Sequence, residues 1–333
     1  MSDGVLENIY AVNPTIVRLT DIKNENAGGD ISTQSVPNGE NIPNLVLALG
    51  NFDGVHLGHA RLMREAVRLA EKIGARAGML CFDVPPADIL LPAPPKHLCG
   101  LSAKFGYASE LGIEYAVICP FTAVRHLSAD GFCAFLREKC FCTGVVCGYN
   151  FRFADGGAGT PDVLLREFGD DALVVPAVKT EDGVPISSTR IRALIESGDV
   201  SEAARLLGHP FRVTGRVVHG KTLGRKMGLP TLNIDFGDGD IIPRSGIYVS
   251  RCVSDGKAYR AVTNIGSRPT VDDGGKVNCE THIIDFAGNI YGETVSVELL
   301  LRIRDEKKFG SVEELKEAIE GDVKSAREYF EKN

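Results

Sequence analysis

No stretch of this 333-residue chain approaches the roughly 18 to 20 consecutive apolar residues that cross a bilayer. That absence argues against a membrane protein. The opening Met1-Ser-Asp-Gly-Val-Leu-Glu7 lacks the basic start and apolar core of a secretory signal, so the expected location is the cytoplasm. A C-x-x-C pair is missing as well, and the nine cysteines are odd in number. Cys81, Cys119 and Cys147 fall in or at the ends of strand-like apolar runs, where a thiol behaves as a small hydrophobe. Cys140-Phe-Cys142 is the closest spacing, with no histidine near it in sequence, which argues against a zinc site. An excess of positive charge is absent too. The formal net charge of −7 argues against general nucleic-acid binding. There are no internal repeats, and nothing in the sequence fixes an oligomeric state.

What is present reads as two domains. The length exceeds that of one small domain, and a hydrophobic content of 44% is ordinary for a globular chain. From residue 45 to about 200, apolar β-like runs alternate with amphipathic segments. The runs are Leu45–Leu49, Ala77–Phe82, Tyr115–Cys119, Val145–Gly148 and Leu173–Val178. Helices are expected over about His59–Ile73, closed by Gly74; over Ala103–Leu111, ended by Gly112; and from the cap Ser128 to Lys139. The alternation predicts an α/β domain with a parallel, Rossmann-like sheet whose ligands bind at the carboxyl ends of strands.

After Phe211 the pattern changes to short strands separated by Gly- and Asp-rich connections. The candidates are Phe211–Val218, Leu232–Phe236, Gly246–Val253, Ala258–Asn264 and Thr281–Asp285, with Val295, Val297, Leu299, Leu301 and Ile303 sharing one face of a further strand. This predicts a small antiparallel β-barrel followed by a helix, opened by the capping box Ser311-Val-Glu-Glu314 and running to about Phe330. The division expected is residues 1–44 as an N-terminal extension with a polar loop, 45–205 as the first domain and 206–333 as the second. The polar, aperiodic residues 21–44 are read as a mobile loop or extension.

The most informative segment is Leu45-Val-Leu-Ala-Leu-Gly50 running into Asn51-Phe-Asp-Gly-Val-His56-Leu-Gly-His59. A strand, a Gly-containing turn and a helix N-terminus form an anion site, because unpaired N–H groups and the positive dipole end meet there. His56 and His59, three residues apart, face one side of the first helical turn. Such a pair suits charge stabilisation on a nucleotide α-phosphate as pyrophosphate leaves. Gly148-Tyr-Asn-Phe-Arg-Phe153 follows another strand. In Ile186-Ser-Ser-Thr-Arg-Ile-Arg192, Ser188 or Thr189 caps a helix and Arg192 offers a charged fork to a triphosphate. Arg190 with Arg192, and Lys221 with Arg225 and Lys226, are the local positive clusters a polyphosphate needs.

In the second half, Gly220-Lys-Thr-Leu-Gly224-Arg-Lys-Met-Gly228-Leu-Pro-Thr231-Leu-Asn233 has glycines four apart, which let backbone approach phosphates, and Lys221 supplies charge. Thr231 and Asn233 project from one strand face as hard oxygen donors of the kind that suit Mg²⁺ beside a nucleotide. Val277-Asn-Cys-Glu280-Thr-His-Ile-Ile-Asp-Phe286 holds a carboxylate, Glu280, of the kind that can serve as base toward an alcohol.

Gly50-Asn-Phe-Asp-Gly-Val-His-Leu-Gly-His59 resembles the HxGH signature of nucleotidylyltransferases, in the form used by bacterial bifunctional riboflavin kinase/FMN adenylyltransferases. Gly148–Phe153 resembles that family's G-x-N/D-F-x-F segment, and Ile186–Arg192 its I-S-S-T-x-x-R pattern. Gly228–Asn233 resembles the kinase motif G-x-P-T-A-N, with Leu232 for alanine, and Glu280–Phe286 resembles E-x-H-x-x-D-F. The resemblance spans about residues 45–331. It implies that the second domain converts riboflavin and ATP to FMN, and that the first converts FMN and ATP to FAD and pyrophosphate.

His56, His59 and Arg192 would then act with bound Mg²⁺ on the α-phosphate, and Glu280 would deprotonate the riboflavin 5′-hydroxyl. Gly50, Asn51, Phe52, Asp53, Gly54, Asn150, Ser188 and Thr189 would bind nucleotide and flavin in the first site. Gly220, Lys221, Gly224, Gly228 and Pro230 would do so in the second, with Thr231 and Asn233 as metal ligands. Asp53 either contacts the metal or substrate or braces its own turn. Three departures stand out: Asp83-Val-Pro-Pro86 where relatives carry a P-H-P-like element, Ala154 where glycine is common, and a longer N-terminal extension. The alternatives are a kinase alone with a degraded first domain, and a non-catalytic flavin or nucleotide sensor.

Overall fold

The computed structural model describes residues 14–22, 30–34, 42–218, 231–267, 277–286, 288 and 290–333. Backbone contacts divide the chain into two compact units. One runs to Pro95 and resumes over Leu101–Ser187; the other comprises Lys96–Gly100 and Ser188–Asn333.

The first unit is built on a seven-stranded sheet. Its strands are β1 (Thr15–Ile22), β2 (Asp30–Gln34), β3 (Leu45–Leu49), β4 (Arg76–Phe82), β5 (Tyr115–Cys119), β6 (Cys142–Gly148) and β7 (Ala172–Val175), ordered β2-β1-β5-β4-β3-β6-β7. Every neighbouring pair is parallel except β1 with β2. All five residues of β3 are buried, as expected for a central strand covered on both faces.

Helix α1 (Leu57–Ile73) buries Ala60, Leu62, Met63, Ala66, Leu69 and Ala70. It stops where Gly74 adopts φ 70° and donates its N–H to the Ala70 carbonyl. Between the strands lie α2 (Pro86–Leu90), α3 (Leu101–Glu110), α4 (Phe121–Val124), α5 (Ala129–Lys139) and α6 (Pro161–Phe168). Ser128 caps α5 by accepting the Gly131 N–H at 3.0 Å. The stretch 21–44, read as a mobile loop or extension, is not free of regular structure. It contributes the end of β1 and all of β2 to the sheet edge, with β1 bonded in parallel register to β5.

The second unit contains α7 (Ser188–Ser197), α8 (Val200–Leu207), β8 (Phe211–Arg216), β9 (Thr231–Asp235), β10 (Gly246–Ser254), β11 (Lys257–Ser267), β12 (Val277–Ile283), β13 (Thr294–Arg304) and a final helix α9 (Val312–Lys332). The sheet runs β8-β13-β10-β11-β12-β9, and all pairs are antiparallel. It curls until the edges meet, where the Val218 N–H donates to the Asn233 carbonyl at 2.9 Å. A chain of buried hydroxyls crosses three strands: Ser250 to Thr263 at 2.7 Å, and Thr263 to Thr281 at 2.8 Å.

α9 packs on Ile247, Val249, Val262 and Ile284, and Arg304 grips Asp322 through two bonds of 2.8 and 2.6 Å. Its start matches the capping-box expectation in part. Ser311 accepts the Glu314 N–H, while Glu314 reaches back to the N–H of Gly310 rather than Ser311.

The single inward face expected for β13 is not what is found: Val295 through Leu299 are all buried, and the expected face is lost beyond Leu299. Register shifts between β10 and β13 turn Leu301 outward to 39% exposure and bring Leu300 against the α9 cluster. Among the described residues no helix is long and apolar enough to cross a membrane.

Candidate functional sites in the two units

The turn from β3 to α1 owes its shape to a run of unusual backbone angles. Phe52 (φ 52°), Gly54 (φ 79°) and Val55 (φ 41°) are all left-handed, and neither Phe nor the β-branched Val favours that region. Phe52 is fully buried and meets the His59 ring edge-on at 5.3 Å. His56 is the N-cap of α1, which begins at Leu57, two residues before the expected start at His59, and its Nδ1 accepts the His59 N–H at 3.3 Å. The two imidazoles stack with centroids 3.7 Å apart and planes inclined by 13°. Gly58 leaves room for the stack: a Cβ there would lie 3.0 Å from the His56 ring, a contact the ring would have to shift to relieve.

Burial pushes His56 down to about 4. Burial, then the neighbouring His56 and Lys104, hold His59 well below its usual range. Both rings are therefore neutral at neutral pH, polar without repelling one another. Asp53 is buried beside them in the turn.

The Leu49–Cys147 pairing between β3 and β6 sets this turn next to the loop after Gly148, so Gly50–Gly54 and the exposed Asn150 share the carboxyl edge of the sheet. That is where a parallel sheet binds ligands. The aromatic residues of that loop pack together, Phe151 on Phe153 at 5.7 Å and Phe153 on Phe132 at 5.0 Å.

Two departures from the family pattern have a visible form. Asp83, ahead of Pro85 and Pro86, accepts the N–H of Val84 at 2.7 Å and of Phe121 at 3.1 Å, and the prolines lead into the short helix α2. Ala154 sits at φ 66°, ψ −179°, a region essentially reserved for glycine. Ala154→Gly should therefore stabilise the first unit by about 1 kcal/mol, the strain released less the entropy glycine adds to the unfolded chain. A thermal melt should show a midpoint about 2 °C or more higher; an unchanged or lower midpoint contradicts the assignment of strain.

In the second unit α7 begins at Ser188, so Ser187 occupies the capping position and Ser188 and Thr189 lie in the first turn. This moves the expected cap by one residue. Ser188 is half-buried and Thr189 exposed. Arg192 donates from Nε to the Lys96 carbonyl at 2.6 Å, and Arg190 lies 4.0 Å from Glu202. Among the candidates for the adenylyl site, His56, His59, Gly50–Gly54 and Asn150 therefore belong to the first unit, and Ser188, Thr189 and Arg192 to the second.

The barrel brings its candidates together. Glu280 on β12 stands directly opposite Asn233 on β9, and the Thr231 hydroxyl donates to Glu280 Oε1 at 2.7 Å. The Asn233 side chain accepts from Asn278 at 2.7 Å, and the Tyr291 hydroxyl braces the Thr231 carbonyl at 3.2 Å. On the other side Glu280 pairs across the sheet with Asn264, whose amide donates to Glu306 at 3.2 Å. Glu306 lines an open cleft of about 610 Å³ with Arg304, Asp305, Lys307, Phe309 and Glu314.

Asn278 and Glu306 were not singled out from sequence, and Asn264, which opens a family-like segment, was given no role; the strand register reveals the two asparagines, and the Asn264 contact reveals Glu306. Gly220, Lys221, Gly224, Gly228 and Pro230 lie outside the described residues, as do Arg225 and Lys226. Asp285 holds φ 57° and pairs with Arg327 at 2.8 Å, a turn residue tying down α9.

Thr231 and Asn233 fit a magnesium ion by chemistry. They are neutral oxygen donors, fixed by Glu280 and Asn278, beside a carboxylate. Among the described residues no cluster of three or more His, Cys, Asp or Glu could cage a metal by itself. That matches a metal held mainly by nucleotide phosphates and water. The cysteines do not compete: all nine are free, and burial pushes the thiols of Cys142, Cys252 and Cys279 up to about 12.

Paired neutral histidines at the mouth of a parallel sheet suit nucleotidyl transfer, and the Thr–Asn–Glu arrangement on a curled antiparallel sheet suits phosphoryl transfer to a small molecule. Comparison with known proteins makes this specific. The FAD synthetase family model matches residues 39–190, and the riboflavin kinase model matches residues 207–330. The chain is 34% identical to the bifunctional riboflavin kinase/FMN adenylyltransferase of Pseudomonas fluorescens, over 85% of this chain and 92% of the relative. It is 36% identical to the Escherichia coli K12 protein of the same description, over 86% and 92%.

A crystal structure described as a macrolide-efflux protein from Streptococcus pneumoniae superposes with a TM-score of 0.77 at 33% identity, covering 86% of this chain and 95% of that one. The chain belongs to the bifunctional riboflavin kinase/FMN adenylyltransferase family: a two-domain flavin-nucleotide transferase, with the adenylyltransferase first in sequence and the kinase second.

Proposed function

We propose that the two reactions run at separate sites, with residues 45–205 and 206–333 as the functional domains, Mg²⁺ as the metal and the cytoplasm as the location. In the kinase, Glu280 takes the proton from the riboflavin 5′-hydroxyl as that oxygen bonds to the γ-phosphorus of ATP and ADP leaves. Thr231 and Asn233 would hold the metal, which when bound would supply positive charge to the phosphates, and the cleft beside Glu306 accepts the flavin.

In the adenylyltransferase, an FMN phosphate oxygen attacks the α-phosphorus of ATP, the bond to the β-phosphate oxygen breaks, and pyrophosphate departs. No protein nucleophile is needed. His56 and His59 stabilise charge at the reacting phosphate, the Asn51–Gly54 backbone and Asn150 position the anions, and Ser188, Thr189 and Arg192 contribute to the polyphosphate.

The observation that carries this reading is the 2.7 Å contact from Thr231 to Glu280 opposite Asn233, because it joins a metal-donor pair to a base on one strand face. The test is a time course with riboflavin, ATP and Mg²⁺, resolving flavins by chromatography. FMN should rise first and FAD follow with one pyrophosphate each. Accumulation of FMN alone, or no flavin nucleotide at all, contradicts the bifunctional assignment.

A further inference from the structure

The turn before His56 is held in an unfavourable shape, and something must hold it. Two non-glycine residues, Phe52 and Val55, are left-handed, each costing about 1–3 kcal/mol. The Val55 N–H reaches the Phe52 carbonyl only at 3.3 Å. From α3, Lys104 crosses to this turn. Its side chain is buried at 7% exposure, and its Nζ donates to the Asn51 carbonyl at 2.8 Å. Among the described residues it has no carboxylate partner. A buried ammonium with only a carbonyl for company is an incomplete electrostatic arrangement. The groups facing it are themselves neutral at neutral pH: His59, and Cys81, whose thiol burial pushes up to about 11. Besides the Asp53 carboxylate of the same turn, an anion bound in this anion-binding turn would complete the arrangement.

We propose that Lys104 is a positioning residue of adenylyl transfer, whose ammonium clamps the Asn51–His56 turn through the Asn51 carbonyl and supplies fixed positive charge behind the histidine pair for the polyphosphate of the nucleotide. The inference rests on the assignment of adenylyl transfer to this turn. It goes beyond it in naming a residue outside every recognised motif. Lys104 does not touch substrate; it acts through Asn51 and through its field.

The test compares the full chain with Lys104→Met and Lys104→Arg, using FMN, ATP and inorganic pyrophosphate. K104M should lower kcat for FAD formation at least tenfold and weaken pyrophosphate binding to the His56 turn at least tenfold. K104R should keep both within about threefold of the parent. FMN formation from riboflavin, run in parallel, reports on the folding of the rest of the chain.

A merely structural lysine would lower the melting temperature without separating Met from Arg in kcat. K104M with parental kcat and pyrophosphate affinity overturns the proposal. So does K104R falling to the level of K104M with FMN formation intact, and this second criterion decides the matter if K104M fails to fold. Should the parent chain itself make no FAD from FMN, the assignment of the site fails instead.

Discussion

Replacing Glu280 by glutamine should abolish FMN formation, by about 10²–10⁴-fold, while FAD formation from supplied FMN stays within twofold. The substitution is nearly isosteric. Its amide oxygen still accepts from the Thr231 hydroxyl, now 2.7 Å from Oε1, and the β12–β9 register is undisturbed. What is lost is the capacity to take a proton at the moment the 5′-hydroxyl attacks. Chromatography of parallel reactions, one started from riboflavin and one from FMN, separates the two activities. Equal loss of both would refute independent sites, and retention of FMN formation would remove Glu280 from its role as base.

His59→Ala should do the converse, lowering FAD formation by about 10²–10³-fold with FMN formation retained. The helix start survives this change, because His56 caps α1 through the His59 backbone N–H rather than its side chain. The loss is of the stacked imidazole itself, one of two polar rings held 3.7 Å apart by Phe52, Gly58 and the cap. FAD formation within threefold of the parent would remove His59 from the site. A matching fall in FMN formation would point to a folding defect instead.

Most of the central architecture was legible because local signals agreed with the tertiary outcome. Leu45–Leu49, Gly74, Ser128 and Ser311 each specify an element or an end by their own chemistry, and each is found there. What escaped depends on partners distant in sequence. β2 has little apolar character of its own and is a strand only because β1 pairs with it. The outward turn of Leu301 is set by bulges against β10, which no periodicity within Thr294–Arg304 encodes.

The sites divide in the same way. His56, His59, Thr231, Asn233 and Glu280 carried motif information. Lys104 and Asn278 are 53 and 45 residues from the groups they hold, so only the folded chain reveals them. Ala154 was legible as a departure, but its strain was not until its φ was known.

The closure of the barrel has a consequence for how the second enzyme is assembled. The seam is made by Val218 and Asn233, and Thr231, two residues earlier, bonds Glu280. Closing the cylinder and fixing Asn233 are thereby linked: the residue whose carbonyl takes the Val218 N–H is the one whose side chain accepts from Asn278, opposite Glu280.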